Sequence, residues 1–327
     1  MASPTTPPCN VAVIGCGYWG QNLVRNFAEL GALFAVCDKN EELAAQHARN
    51  HQVMCSSWND ILTDKNIDAV SIATPAASHA ELVRAALDNG KHVLVEKPMA
   101  LNVSQAEEIA KLAKKRNRTV MVGHLLQYHP AFNALHRLVA DGELGKLRYI
   151  YSNRLNFGRF RTEENILWSF APHDISMILA LTGTEPNYVH AIGQSYLGPG
   201  IADTTITHLS FPSGVRAHVY VSWLHPFKEQ KLVVIGDQGM ALFDDMQNWS
   251  EKLLLYPHIV KQEGKISIAQ RANSRAIAVE PCEPLREECK HFLDCVVRGI
   301  PPRTEAEEGL RVLRVLTTAQ QSLTDAL

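Results

Sequence analysis

The sequence predicts an α/β protein in which a doubly wound parallel sheet is followed by an α+β domain with a mostly antiparallel, open sheet. Three observations predict this class. The apolar run at residues 11–14 leads directly into the glycine-rich turn Gly15-Cys16-Gly17-Tyr18-Trp19-Gly20. Strand-like and helical segments then alternate up to about residue 124, which is typical of a parallel sheet. Between residues 188 and 256, β-rich runs are separated by tight turns, as in antiparallel sheets.

The elements of the first domain follow from apolar runs and their helical intervals. The strand-like runs are residues 11–14, 33–37, 69–73, 92–95 and 119–122. The helical patterns between them are residues 21–30, 41–50, 78–88 and 104–115. Each helical pattern is about 10–12 residues long, as crossover helices of a parallel sheet usually are.

The second domain has a different pattern. A helix is predicted over residues 130–141, a strand over 147–155 and a helix from about 172 to 181. The β-rich region contains runs at residues 206–211, 215–223 and 232–235, and two helices at 284–298 and 305–323 close the chain. We therefore predict a disordered leader over 1–9, a nucleotide-binding domain over 10–125, and a substrate-binding and oligomerisation domain over 126–327.

The composition is that of an ordinary globular protein with room for two domains. Of 327 residues, 46% are apolar and 20% are charged, and the formal net charge is −2. This balance favours neither nucleic acid nor an anionic membrane as a partner. The first eight residues have no signal-peptide pattern. Seven cysteines without a Cys-x-x-Cys pair predict reduced thiols, a cytoplasmic location and no metal site.

The glycine turn predicts a dinucleotide site of the Rossmann type. Gly15 would make the tight turn, Gly17 would let the backbone approach a pyrophosphate, and Gly20 would let helix and strand pack closely. Asp38 ends the next apolar run, 18 residues after Gly20, where a carboxylate binds the adenosine ribose. Its charge disfavours a 2′-phosphate, so NAD is predicted, although Lys39 beside it leaves NADP open.

Glu96-Lys97-Pro98 is the second informative stretch, because it follows a buried strand directly. Ligands of open parallel sheets bind beyond the carboxyl ends of the strands. Lys97 is therefore a candidate for orienting a hydroxyl and stabilising an alkoxide. From these residues alone, a surface Glu-Lys pair is an equal alternative.

Further motifs extend over nearly the whole chain. They are Ala73-Thr74-Pro75 with His79, Gly90-Lys91-His92-Val93 before Glu96-Lys97-Pro98, Pro172-His173-Asp174-Ile175, and Glu283-Pro284-Leu285. With the glycine turn, this combination resembles the Gfo/Idh/MocA oxidoreductase family. Residues 123–131 and 154–158 are most similar to its sugar-nucleotide branch, which includes UDP-N-acetylglucosaminuronic acid 3-dehydrogenases.

The resemblance implies hydride transfer between nicotinamide and a ring carbon, C3, of a sugar nucleotide, in polysaccharide precursor synthesis. It implies that Lys97 orients the reacting oxygen and that His173 moves the hydroxyl proton, a role that suits an imidazole. The implied cofactor-binding residues are Gly15, Gly17, Tyr18, Trp19, Gly20, Asp38, Thr74, Pro75, His79, Glu96 and Lys97. The implied substrate-binding residues are Arg154, Asn156, Arg161, Ser169 and His173. A homodimer or homotetramer through the C-terminal sheet is also implied.

One position departs from the family pattern. The family usually has an aspartate four residues before the histidine, and Ser169 stands there. Three hypotheses follow: a less basic His173, partial substitution by Asp174, or lost or altered activity. The alternative functions are a dehydrogenase or ketoreductase of a free sugar or inositol, and a catalytically lapsed NAD-binding protein. Ser169 is the residue that keeps the second alternative open.

Three arginines precede His173: Arg154, Arg159 and Arg161. Arginine forks match the oxygens of a diphosphate or a uronate carboxylate, which favours substrate recognition. A solvated basic loop is the alternative.

Overall fold

The structure, a computed structural model, describes residues 9–158 and 160–326, with side chains as far as residue 323. Its contacts divide the chain into two compact units. The first comprises the chain through Leu125 together with Glu283–Leu313, and the second comprises Leu126–Cys282 and the chain from Arg314 onward. Among the described residues, no helix has both the length and the apolar character that a bilayer crossing requires.

The strands are numbered in chain order. They are β1 (Val11–Ile14), β2 (Leu33–Cys37), β3 (Met54–Cys55), β4 (Ala69–Ile72), β5 (His92–Val95), β6 (Val120–Val122), β7 (Leu147–Phe157), β8 (Tyr188–Gln194), β9 (Thr204–Ser210), β10 (Arg216–Ser222), β11 (Leu224–Gly236), β12 (Met240–Asp244), β13 (Leu253–Tyr256), β14 (Ile259–Glu263), β15 (Ile266–Gln270) and β16 (Arg275–Ala276).

The helices are numbered in the same way. They are α1 (Gly20–Glu29), α2 (Glu41–His51), α3 (Trp58–Thr63), α4 (His79–Asp88), α5 (Val103–Arg116), α6 (Pro130–Ala140), α7 (Ile166–Thr182), α8 (Pro284–Arg298) and α9 (Ala306–Ala326). Short 3-10 turns lie at Ala76–Ser78, Leu125–Tyr128 and Trp249–Glu251.

The first unit is built on a six-stranded parallel sheet in the order β3-β2-β1-β4-β5-β6. β1 and β4 are fully buried, which explains their uninterrupted apolar sequences. The winding direction reverses between β1 and β4, and ligands of doubly wound sheets bind at this point. The predicted Rossmann sheet is therefore confirmed, with β3 and α3 as short additions that the apolar pattern did not reveal.

The first unit also includes a segment from the end of the chain, which differs from the predicted division at 125/126. The buried face of α8 packs against α1, where Phe27 and Phe292 meet edge to face with ring centroids 6.5 Å apart. Glu283 accepts hydrogen bonds from Arg25 and Asn26 of α1. Residues 283–313 therefore group with the nucleotide-binding unit, because apolar side chains distant in sequence bury each other.

The second unit is built on an eight-stranded sheet in the order β16-β13-β12-β11-β7-β10-β9-β8. Its pairs are antiparallel except β7 with β10, which are parallel. α7 covers one face and contacts β7, β9 and β10. The predicted mostly antiparallel sheet is confirmed, and β14 and β15 form a separate hairpin.

Two predicted boundaries need comment. Residues 1–8 of the predicted leader lie outside the described residues, and Cys9, its last residue, is buried at 1% exposure. α7 begins at Ile166 rather than near Pro172, since the Asn165 side chain caps it by accepting from the Trp168 N–H. Pro172 lies inside the helix, although proline normally interrupts one, so the proline was a misleading start signal.

Candidate active site

The glycine turn after β1 has three different environments. Gly15 has φ +90°, and a Cβ there would lie 2.8 Å from the Ala73 carbonyl oxygen. At Gly20 a Cβ would lie 1.8 Å from the Gly15 carbonyl oxygen, so only glycine lets α1 start here. A Cβ at Gly17 would meet no described atom within 4 Å. The turn thus leaves open backbone at the N-terminus of α1, which fits the pyrophosphate of a dinucleotide.

Asp38 closes the turn from the end of β2. Its Oδ2 accepts from the Cys16 N–H at 2.6 Å, and its Oδ1 accepts from the Asn40 N–H at 2.8 Å. A carboxylate has about four lone-pair sites, so both oxygens can accept further bonds. The carboxylate is therefore held in place by backbone and still fits ribose hydroxyls.

The turn after β4 carries Thr74, Pro75 and His79. The Thr74 and Ser78 hydroxyl oxygens are 2.7 Å apart, and the Pro75 carbonyl accepts from Ser78. His79 is buried, with Nε2 2.7 Å from the Thr74 carbonyl oxygen and Nδ1 2.8 Å from that of Pro98. Burial lowers the pKa of His79, and hydrogen bonds to the two carbonyls only partly offset this effect. Its ring thus joins the turn after β4 to the turn after β5.

Glu96 and Lys97 follow β5 at the carboxyl edge of the sheet, and the Lys97–Pro98 peptide bond is cis. The indole N–H of Trp19 donates to the Glu96 carboxylate. Burial raises the pKa of Glu96, while the Trp19 hydrogen bond and the nearby Lys97 charge lower it in part. Tyr18 is exposed, at 77%. The first unit therefore collects the predicted cofactor-binding residues at the ends of β1, β2, β4 and β5.

Two residues of this edge were not assigned a role from sequence. His124 follows β6, and its Nδ1 lies 2.5 Å from Oε2 of Glu308 on α9, with both side chains buried. A Cβ at Gly123 would lie 3.0 Å from the Glu96 carboxylate. The groups that they meet, Glu308 and Glu96, are distant in sequence. The only sequence signal was that His124 follows a predicted strand, which places it near the carboxyl edge of the sheet.

In the second unit, Ser169 and His173 both lie on α7, so they share one face of the helix at a spacing of four residues. Ser169 is buried and His173 is half-buried. The missing aspartate would thus have stood one turn before the imidazole. The helix therefore places positions 169 and 173 on one face, as their spacing predicts.

The Asp174 carboxylate is bound by two residues of β7. Its Oδ2 accepts from Nε of Arg154 at 2.7 Å, and its Oδ1 accepts from the Ser152 hydroxyl at 2.6 Å. The carboxylate is 1% exposed. It ties α7 to β7, so the hypothesis that Asp174 replaces the missing aspartate finds no support in these contacts.

The predicted substrate-binding residues lie in different settings. Arg154 lies on β7, and its side chain is 11% exposed. Its guanidinium forms an ion pair with Asp174. Asn156 is half-buried near the end of β7. Arg161 is 47% exposed, and its Nη1 lies 2.9 Å from the Glu164 carboxylate. Arg159 lies outside the described residues.

A cluster of titratable side chains joins the start of α6 to the segment between β12 and β13. The Asp245 carboxylate lies 3.3 Å from Nε2 of His129 and 2.8 Å from Nζ of Lys252. Burial would raise the pKa of Asp245, but hydrogen bonds from His129 and Lys252 outweigh it and lower the pKa to about 2. Nδ1 of His129 accepts from the Ala131 N–H and caps α6. His129 is therefore a structural residue.

Comparisons with known proteins find relatives along nearly the whole chain. UDP-N-acetylglucosamine 3-dehydrogenase of Acidithiobacillus ferrooxidans is 26% identical over 302 residues, which are 92% of this chain and 93% of that protein. A solved structure of that enzyme, GnnA, has a TM-score of 0.86 at 25% identity and covers 97% of both chains.

Two further relatives widen the comparison. The scyllo-inositol 2-dehydrogenase (NAD(+)) of Bacillus subtilis is 29% identical over 257 residues, or 72% of this chain and 74% of that protein. A solved structure of a candidate oxidoreductase from Magnetospirillum magnetotacticum MS-1 is 32% identical, with a TM-score of 0.81 and coverage of 95% of this chain and 99% of that one.

Family sequence models match both units. The model for the Gfo/Idh/MocA oxidoreductase family, NAD-binding Rossmann fold, matches residues 9–124, and the Gfo/Idh/MocA C-terminal domain model matches residues 132–242. Together they cover more than half of the chain. With the strand order and the open glycine turn, they show that the chain belongs to the Gfo/Idh/MocA family of NAD-binding oxidoreductases.

Proposed function

We propose that the chain is an NAD-dependent dehydrogenase that transfers a hydride between nicotinamide and C3 of a sugar nucleotide, such as a UDP-N-acetylhexosaminuronate. The observation that carries this proposal is the similarity to UDP-N-acetylglucosamine 3-dehydrogenase, which extends over both units. Such a substrate also fits a role in polysaccharide precursor synthesis.

In this proposal two side chains carry the catalysis. Bound NAD⁺ supplies the hydride acceptor. Lys97, at the carboxyl end of β5, orients the substrate hydroxyl and stabilises negative charge on its oxygen. His173 accepts the hydroxyl proton as general base, and returns it when the reaction runs in reverse. Arg161 and Asn156 are proposed to contact the sugar nucleotide, whereas Arg154 acts through Asp174.

Two other functions have specific support. The similarity to scyllo-inositol 2-dehydrogenase favours a dehydrogenase of a free polyol or sugar. Ser169 favours a catalytically lapsed NAD-binding protein, because serine cannot supply the charge of the usual aspartate. Neither explains the full-length similarity as directly as the sugar-nucleotide proposal.

A substrate panel distinguishes the three functions. The purified chain is mixed with NAD⁺ and, in turn, UDP-N-acetylhexosamines, their uronates, free hexoses and inositols, and NADH is followed at 340 nm. UDP-sugar-dependent NADH formation supports the proposal, and turnover of inositols alone supports the polyol alternative. NAD binding by calorimetry without any turnover supports the lapsed protein.

The role of Lys97 is tested in the same assay. Lys97→Met is expected to lower kcat by about 10²- to 10³-fold. This is the usual loss when one hydrogen-bond donor to a developing negative charge is removed. NAD affinity should change less than about twofold. Lys111→Met, on the exposed face of α5, is the control. Retained turnover in Lys97→Met would exclude the proposed role.

We also infer that the chain self-associates through the face of the eight-stranded sheet opposite α7. Strand register places His190, His208 and His218 in one row across this face, next to Tyr151. Tyr188 and Ile192 are 56% and 48% exposed there. A second copy of this chain would cover this apolar and aromatic surface. Seven cysteines without a Cys-x-x-Cys pair support a reducing, cytoplasmic location.

A further inference from the structure

Three histidines form one row across the open face of the eight-stranded sheet. His190 on β8 lies directly opposite His208 on β9, and His208 lies directly opposite His218 on β10. Side chains that face each other on neighbouring strands have Cβ atoms about 4.5–5.5 Å apart. The ring centroids of His208 and His218 are 6.1 Å apart. The three imidazoles are therefore close enough for their charges to interact.

Two tyrosines of β7 hold the end of the row that lies toward the middle of the sheet. Tyr151 stacks on His218 with ring centroids 5.4 Å apart, and the Tyr149 hydroxyl is hydrogen-bonded to Nδ1 of His218. Burial and the neighbouring His208 lower the pKa of His218, which favours the neutral imidazole. A proton on this ring therefore meets both partial burial and a second imidazole.

The other titratable side chains of this face offer no negative charge to the row. On the described strands β7 to β10 they are Tyr149, Tyr151, Tyr188, Arg216 and Tyr220. The carboxylates of the face stand on the far side of β7, where Glu229 and Asp244 lie 3.2 and 3.8 Å from Nζ of Lys231. Protonated histidines in the row would therefore lack a counter-charge on their own strands.

We propose that this row makes self-association sensitive to pH: a second copy of the chain covers the face while the histidines are neutral, and dissociates when they are protonated. The inference rests on the self-association that belongs to the proposed function. Arg216 is the one fixed charge of this face on the described strands β7 to β10. Two identical faces can therefore meet with little repulsion above the pH at which histidine titrates.

The direction of the effect follows from the burial of the imidazoles. An ordinary histidine changes charge near pH 6.5. Burial against a second copy disfavours the charged ring, and each protonated histidine repels the others in the row. The assembled state therefore binds fewer protons than the separated chains, and association weakens as pH falls and protons are taken up from the buffer. If each chain of a dimer releases one proton on association, the dissociation constant rises about 100-fold between pH 7.5 and 5.5.

Sedimentation velocity of the full chain, over a dilution series at pH 7.5, 6.5 and 5.5, measures this dependence. We expect the assembly to dissociate at higher protein concentrations as pH falls, while circular dichroism shows a folded chain throughout. His208→Gln keeps the middle of the row neutral, so it should remain assembled at pH 7.5 and reduce the change about tenfold or more. His208→Lys fixes a positive charge there and should dissociate already at pH 7.5.

His136→Gln is the matched control, because His136 is exposed on α6, and it should keep the full pH dependence. His190→Gln repeats the test on the edge strand if His208→Gln does not fold. A dissociation constant that is equal at pH 7.5 and 5.5, or a pH dependence that the folded glutamine variants of the row retain, would overturn this inference alone. A chain that is monomeric at every pH would overturn the proposed self-association as well. The substrate panel tests the dehydrogenase proposal independently of all these outcomes.

Discussion

At the scale of single residues, the position that separates this chain from the family pattern is Ser169. It lies one turn before His173 on α7 and is buried, so a carboxylate there would face the imidazole. Its hydroxyl can make a hydrogen bond but cannot offset the charge of a protonated imidazole. We therefore expect the residue at position 169 to affect the basicity of the proposed general base.

Ser169→Asp is expected to raise turnover of the preferred substrate. A carboxylate beside His173 stabilises the imidazolium that forms when the hydroxyl proton is accepted, and it moves the acidic limb of kcat/KM to higher pH. Steady-state kinetics across pH 5.5–9 measures both effects. Ser169→Ala is the control, since it removes the hydroxyl without adding charge. An unchanged limb and unchanged kcat would show that Ser169 is not limiting.

His79 makes a different kind of contribution, because it holds two turns of the site together from inside the protein. Burial lowers its pKa, so the folded state binds this proton less readily than the unfolded chain does. The contribution of His79 to the free energy of unfolding is therefore present above the ordinary pKa of about 6.5, and it is lost as pH falls through that value.

His79→Gln should lower the free energy of unfolding at pH 7.5 by about 1–3 kcal/mol, the usual loss when buried hydrogen bonds are broken. It should also reduce the loss of stability between pH 7.5 and 5.5. Urea denaturation at both pH values measures the two effects. His136→Gln, another histidine on a helix, is the comparison variant. An unchanged pH slope in His79→Gln would contradict the role of this imidazole.

At the scale of elements, α7 carries two residues with different roles, His173 and Asp174, at adjacent positions. His173 belongs to the proposed catalytic face, while Asp174 turns toward the sheet and pairs with Arg154 of β7. Successive helical residues point about 100° apart, so adjacent positions serve different surroundings. The ion pair is nearly buried, and its role is to fix α7 on the sheet.

Arg154→Met is therefore expected to cost stability rather than substrate affinity. Removing one member of a buried pair leaves Asp174 uncompensated, at about 3–5 kcal/mol. Arg161→Met is the control: its ion pair is exposed and is worth about 0–1 kcal/mol, so only KM should rise if Arg161 binds substrate. Denaturation and KM measurements separate the two arginines. A stable Arg154→Met variant with a raised KM would restore Arg154 as a substrate ligand.

At the scale of the whole molecule, the sheet of the second unit carries the surface that we propose for self-association. One face is covered by α7, and the other presents aromatic, histidine and aliphatic side chains in cross-strand rows. His218 stacks on Tyr151 with centroids 5.4 Å apart. An isologous contact between two such faces would bury these rows.

Ile192→Lys should weaken the assembly, because it places a charge in the middle of the proposed contact. Multi-angle light scattering is expected to show a dimer or tetramer for the unmodified chain and a smaller species for the variant. Val297→Lys is the matched control, since Val297 is 47% exposed on α8 and Ile192 is 48% exposed on β8. A monomeric unmodified chain would contradict the proposed assembly.

The sequence predicted the local framework closely. β1, β2, β5 and α8 have the predicted bounds, because short buried strands and an amphipathic helix begin and end where their apolar patterns do. It predicted the start of α7 poorly, since Pro172 is a strong local signal that the packed helix overrides. The grouping of 283–313 with the first unit was also missed, because it depends on α8 packing against α1.

By itself, the sequence determined the fold class, the family and the cofactor, since the glycine turn, Asp38 and Glu96-Lys97-Pro98 are local signals whose geometry follows from their own backbone. Only the tertiary structure decided which side chains bind one another across long sequence separations. Asp174 is bound to Arg154, His79 joins two turns, and His124 contacts Glu308 of a helix that is distant in sequence. Such pairings arise from packing across long separations, which no local pattern encodes.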